Sequence, residues 1–251
     1  MHEALTILKR GVDSLAPWLQ ADGELFDPIL HEPTQYGTPY YAYCNAVLAL
    51  HLGASGEVYR ERALKGLIAS LVYVLHPELS PRISSVERET GHAWGINHRD
   101  FFWPAILKTF QILRELSPLA VKGLEAGIAE VRVERSFAER PPNNWASVWL
   151  SGEWLRFHEG LSPYSQEQLD AWLGAFFENH VRLDLGFYME PGLPNSYDLF
   201  TRYHLADILL NGYTGKWTES LETLMETGLR RSLDVQLSDG SLASAHRSTG
   251  Q

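Results

Sequence analysis

Four stretches of the chain are written as helices with almost no polar side: "TPYYAYCNAVLALHLG", "HRDFFWPAILKTFQIL", "NNWASVWLSGEWLRF" and "SYDLFTRYHLADILLNG". A helix that is apolar all round has to be buried on every side. These four are therefore expected to form an inner layer wrapped by other elements. The sharpest case is residues 140–157, "RPPNNWASVWLSGEWLRF", where Asn143 and Asn144 stand directly before the apolar run. An asparagine pair there is expected to be buried, or nearly so, at a helix mouth.

A second kind of helix alternates with the first and shows water one face. "YSQEQLDAWLGAFFENH" aligns Leu169, Trp172, Leu173, Phe176 and Phe177, with Ser165 and Gln168 as a capping box at its start. "EVYRERALKGLIASLVYVL" aligns Leu64, Leu67, Ile68, Leu71 and Leu75, and "TESLETLMETGLRRSLDVQL" aligns Leu221, Leu224, Met225 and Leu229. Gly53 and Gly212 are placed for the left-handed turn that closes a helix. The apolar helices start near residues 38, 98, 143 and 196. That spacing, roughly 45 to 60 residues, falls near the range of stacked helical hairpins.

The connections differ in kind. From inner to outer helix they are short, "GASG", "RELSP", "HEGLSP" and "YTGK"; from outer to inner they are long and chemically loaded, as in "ADGELFDPILHEPTQYG" and "RLDLGFYMEPGLPN". Long loops in a compact domain are more often functional than not. Here they would gather on the face where the inner helices begin, and several positive helix ends would point into one cavity there. The fold expected is all-α: an α/α toroid, a ring of hairpins with inner and outer helices alternating, spanning residues 1–251 as one domain. An open α-solenoid used as a binding scaffold shares the pattern, and the aromatic residues crowded at the inner-helix starts favour the toroid.

Composition excludes several classes. The 251 residues are 45% apolar, enough for a large core, and no Ser/Gly-rich linker divides them. The net charge of −10, without a Lys/Arg cluster, speaks against a nucleic-acid partner. No apolar run approaches roughly 18 residues, so no membrane span is expected. Cys44 is the only cysteine, which rules out an internal disulfide and a cysteine-cluster metal site. No HExxH or comparably spaced ligand set occurs, so neither metal nor other cofactor is expected. The N-terminal "MHEALTILKRGVDSLAPWL" lacks the apolar stretch and cleavage site of a signal peptide, and the protein is read as cytoplasmic. The last residues, "LSDGSLASAHRSTGQ", resemble the loop and start of a fifth inner helix. The ring is thus expected to be incomplete, with oligomerisation or a missing segment closing it.

The inner-helix mouths supply the candidate site: Gln35, Tyr36 and Tyr40; His98, Asp100 and Trp103; Asn143, Asn144 and Trp145; Tyr197, Arg202, Tyr203 and His204; and, from the C-terminal stretch, Asp239, His246 and Arg247. Aromatic faces that stack on pyranose rings, beside amides, imidazoles and a guanidinium that read hydroxyls, make a sugar site. Each has a plainer reading. Asn143 or Asn144 serves equally as an N-cap, Tyr203 and His204 as a hydrogen-bonded core pair, and His98, Arg99 and Asp100 as a capped helix start with a surface ion pair.

"NNWASVWLSGEWLRF" resembles the Asn-Asn-aromatic helix start of α/α-toroid polysaccharide lyases of the alginate-lyase, hyaluronate-lyase and heparinase-like kinds, and "YDLFTRYHLADILL" resembles their Arg/Tyr/His-bearing helix one hairpin later. The resemblance implies a carbohydrate substrate that contains uronate and is cleaved by β-elimination. It implies that Asn143 or Asn144 neutralises the carboxylate, that Tyr203 or His204 takes the C5 proton and returns one to the leaving oxygen, and that Arg202 is a supporting cation. Where the alginate-type enzymes carry histidine after the asparagines, this chain has Trp145, so a second histidine would come from His98 or His246. Gln35, Tyr36, Tyr40, Asp100, Trp103, Trp145, Tyr197, Asp239, His246 and Arg247 are then expected to contact substrate. A glycoside hydrolase on the same scaffold, using two carboxyls among Asp100, Glu153, Asp198 and Asp239, is the closest alternative. A non-catalytic scaffold that binds a sugar or a protein is the alternative of another class.

Overall fold

The computed structural model describes residues 2–76, 79, 81, 99–133, 144–189, 195–234 and 236–240. These are mostly helical and fall into two compact units, residues 1–131 and 132–251. His98, Asn143, His246 and Arg247 lie outside the described residues, as does the side chain of Asp100. No described helix is long and apolar enough to cross a membrane.

The first unit holds α1 (His2–Leu15), α2 (Gly37–Leu52), α3 (Glu57–Leu75), α4 (Arg99–Leu116), and two short helices, α5 (Pro118–Val121) and α6 (Glu125–Glu130). Helices α2 and α3 form a hairpin joined by the 3₁₀ turn Gly53–Gly56, with Gly53 at φ 55°. Small residues bring the two helices together: a Cβ on Gly66 would lie 2.9 Å from the Ala42 Cβ, and one on Gly56 would lie 2.9 Å from the Ala49 backbone. This contact turns α3 further than its leucines alone suggest. Its buried face runs through Tyr59, Ala63, Gly66, Leu67, Ser70, Leu71 and Val74, whereas Ile68, expected inside, is 45% exposed. Helix α1 packs Val12 against Leu25, Tyr41, Leu48 and Tyr59. The segment after α4 breaks into short pieces, consistent with the low helix propensity of Gly123 and Gly127.

The second unit holds α7 (Asn144–His158), α8 (Gln166–His180), a hairpin of β1 (Val181–Arg182) and β2 (Phe187–Tyr188), α9 (Asn195–Leu210) and α10 (Thr218–Asp234). Its core joins Leu150 and Trp154 of α7, Leu173 and Phe176 of α8, Tyr188 of β2, Leu205 and Ile208 of α9, and Leu221 and Leu224 of α10. Each such side chain fully withdrawn from water contributes roughly 1.5–3 kcal/mol. Helix α7 is buried at Asn144 and from Ala146 to Arg156, as an all-round apolar sequence requires. The Ser165 hydroxyl caps α8 by accepting from the Gln168 N–H at 3.3 Å, and Gly212, at φ 80°, follows α9.

Two expectations for this unit are corrected. The long connection after α8 contains a short antiparallel ribbon, Val181 opposite Tyr188 and Arg182 opposite Phe187. It reverses through Gly186 at φ 71°, which lies so close to α10 that a Cβ on Gly228 would come within 2.6 Å of the Gly186 carbonyl oxygen. On α10, Leu229 is 65% exposed rather than buried, because the face seated on the core is Leu221, Leu224 and Gly228.

In each unit the aromatic-starting helices lie side by side and parallel. In the first, the Tyr40 hydroxyl donates to the Phe101 carbonyl (2.8 Å) and, further along both helices, the Lys108 ammonium lies over the Tyr43 ring (5.8 Å), so α2 and α4 run in the same direction. In the second, Ser151 meets Asp207 and Trp154 meets Asn211, so α7 and α9 do the same.

Candidate functional site

The contacts between α7 and α9 define a seam. The Ser151 hydroxyl donates to the Asp207 Oδ2 at 2.9 Å, and the Trp154 indole N–H donates to the Asn211 carbonyl at 2.9 Å. Residues three and four apart share a helix face. The same stripe of α7 therefore carries Asn144 and Ser147, and that of α9 carries Phe200 and His204. By this register Asn144 is level with Phe200, Ser147 with His204, and the N-terminal turn of α9 reaches about one turn beyond that of α7.

The seam is polar and buried. Asn144, Ser147, Ser151, His204 and Asp207 are all buried, in an interface whose surroundings are leucine and aromatic. The Ser147 hydroxyl donates to the Asn144 carbonyl (2.6 Å), and the Asn211 amide donates to the Asp207 carbonyl (2.7 Å). Phe200 and Tyr203 both meet the His204 ring edge-on, with centroids 4.7 and 4.9 Å away. Two parallel helices also direct the positive ends of their dipoles the same way. An anionic group at that end would meet the positive ends of both helices.

Three consecutive residues of α9 point to three different environments, since neighbours on a helix are about 100° apart. Tyr203 is 58% exposed and His204 is buried. Arg202 turns toward α10, where it donates to Asp198 Oδ2 from Nε (2.9 Å) and Nη2 (2.7 Å) and to the Ser232 hydroxyl (2.6 Å). Asp198 also accepts the Tyr188 N–H at 2.7 Å. Burial pushes the Asp198 carboxyl above the usual carboxylate range, while Arg202 and the Tyr188 amide pull it back down. The pair ties β2, α9 and α10 together, and Arg202 spends its guanidinium on that clamp.

The other expected residues divide between the units. Gln35 is buried in the first unit, Tyr36 lies edge-on to Phe101 at 6.0 Å, and Tyr40 is 42% exposed. Trp103 is wholly enclosed in the interior of that unit. In the second, Trp145 is half-buried, Tyr197 packs against the core, and Asp239 is exposed in a turn after α10. Glu153, the carboxylate placed deepest in α7, is fully buried with Arg156 at 2.6 Å, and the Arg156 guanidinium lies over the Tyr164 ring at 5.4 Å. Among the described residues, no cluster of three or more His, Cys, Asp or Glu side chains could hold a metal ion.

Ser147, Ser151 and Asp207 belong to the seam and escape a search for motifs. Their signal is spacing: Asn144, Ser147 and Ser151 recur every three or four residues through an otherwise apolar run, and His204, Asp207 and Asn211 repeat the pattern. Two polar stripes on helices that must both be buried are expected to meet. No protein family, no curated protein and no solved structure matches the chain.

Proposed function

We propose that this protein is a carbohydrate-active enzyme of the α/α-toroid type that cleaves uronate-containing oligosaccharides by β-elimination at the start of the α7–α9 seam. The observation that carries this reading is the parallel pairing of α7 and α9. It aligns the stripe of Asn144 with that of His204, while the adjacent Tyr203 reaches solvent.

β-Elimination needs those three kinds of group. The C5 proton of a uronate is weakly acidic until the neighbouring carboxylate is neutralised, because the carbanion delocalises into it. The Asn144 amide and the His204 imidazole, aimed at that carboxylate, stabilise the developing charge. Tyr203 acts as the base that takes the C5 proton and as the acid that returns one to the leaving oxygen as the C4–O bond breaks. Arg202, held by Asp198, supports the helix rather than the substrate. The Asp198 clamp also weighs against the hydrolase alternative, since a carboxylate already taking three donors is poorly placed to protonate a glycosidic oxygen.

The test is a panel of uronic-acid oligosaccharides followed at the ultraviolet band of the unsaturated product. A rise in absorbance that falls about 10²–10⁴-fold in Tyr203→Phe, with thermal stability unchanged, is the expected result. New reducing ends without absorbance would mean hydrolysis. Full activity in the variant would remove Tyr203 as the base. Binding without any turnover would leave the seam as a scaffold for sugar.

A further inference from the structure

The C-terminal half of α10 carries an apolar ridge that the core does not use. Met225, half-buried at the edge of the core, is followed at intervals of four by Leu229 and Leu233, each 65% exposed, and Leu237, just past the helix, is 52% exposed. Residues four apart form the ridges that interlock in the commonest class of helix packing. We propose that two copies of this chain associate through this ridge, antiparallel, about a two-fold axis that crosses the ridge midway between Leu229 and Leu233.

The self-pairing follows from spacing and charge. About that axis Leu229 of one copy meets Leu233 of the other and the reverse, and Met225 is directed toward the segment past the helix end that carries Leu237. Such a contact is isologous, as a two-fold dimer requires. A chain of net charge −10 repels its own copies over most of its surface. Between Met225 and Leu237 the charges cancel, two acidic against two arginines. They are already paired within the helix, Arg230 with Glu226 at 2.6 Å and Arg231 with Asp234 at 3.1 Å. The ridge is thus a face on which a second copy meets leucine without meeting its own net charge. Three exposed leucines per copy fall short of the roughly 800 Å² per partner of a stable interface. The association is therefore weak and belongs to high protein concentration.

Sedimentation velocity of the full chain from about 10 μM to about 1 mM, near physiological salt, reads this directly. The weight-average sedimentation coefficient should rise with concentration in the parent and stay at the monomer value in Leu229→Glu/Leu233→Glu. A parent that is monomeric throughout overturns the proposal, as does a double variant that associates equally well. Leu233→Cys, labelled with a maleimide and read at that peptide, gives a second measurement that does not depend on the charged variant folding. Labelling should be fast at 10 μM and slower at 1 mM. Protection already present at the low concentration would mean that the chain covers its own ridge, and would also overturn the proposal.

Discussion

Two buried ion pairs show how much a single residue type leaves undecided. Arg202 and Arg156 are both arginines in apolar helices, and each is committed to a carboxylate of its own helix. A buried charge is tolerable only with such a partner, and removing one member strands the other. Glu153→Ala should therefore destabilise the fold by about 3–5 kcal/mol, whereas replacing Glu153 and Arg156 together with apolar residues of similar volume should recover most of that loss. Urea denaturation of the three proteins checks this. A single variant as stable as the double one would mean that Arg156 finds another partner or water. At this scale the sequence was partly legible: the burial of Asn144 followed from the apolar run behind it. The commitment of Arg202 did not, because Ser232, which accepts from it, and the Tyr188 N–H, which donates to the same Asp198, come from elements whose approach the local pattern does not encode.

Among the elements, the helices written most one-sidedly in the sequence were found where expected, and their faces were read correctly to within a turn of the stripe. The errors share a cause. On α3, Gly66 and Ala63 allow α2 so close that the helix is seated on its small residues and Ile68 is turned out. On α10, Gly228 is drawn in against Gly186 and Leu229 is left outside. Hydropathy patterns count large apolar groups, but close packing is decided by where a backbone can approach, which small residues govern. The docking of α1 rests on a polar contact of similar specificity. Asp13 accepts from the Tyr59 hydroxyl (2.9 Å) and from Lys9 (2.6 Å), with Arg62 at 3.5 Å. The Lys9 ammonium foremost, then the Tyr59 hydroxyl, hold the Asp13 carboxyl below its usual range. A carboxyl lowered in the fold contributes stability above its unfolded value and loses it as pH falls through the folded one. Acidification below about pH 4 should thus loosen α1 before the core yields. Amide hydrogen exchange, corrected for its intrinsic pH dependence, should show α1 of the parent losing protection on acidification and α1 of Asp13→Asn already less protected at neutral pH. Equal protection in both at neutral pH would assign the docking to Val12 and its apolar neighbours alone.

For the molecule as a whole, the helical character of the chain was the most legible property, because it follows from a period repeated through most of the sequence. Within each unit the aromatic-starting helices run in the same direction, α7 beside α9 and α2 beside α4. The two-stranded ribbon was invisible, being two residues long in each strand and specified by a turn rather than by alternation. Charge operates at this scale too. At neutral pH the net charge of −10 opposes association of copies, and that repulsion vanishes near the sequence isoelectric point of about 5.4. The local charge around the α10 ridge comes from Glu226, Arg230, Arg231 and Asp234, two of each sign. Between pH 7 and 5.4 the net charge of the chain falls away and its surface stops repelling a second copy. Association through α10 should strengthen across this interval, seen in static light scattering as a falling second virial coefficient. In Leu229→Glu/Leu233→Glu the fall should be shallower. If both proteins change alike, the loss of repulsion acts over the whole surface and the ridge has no part in it.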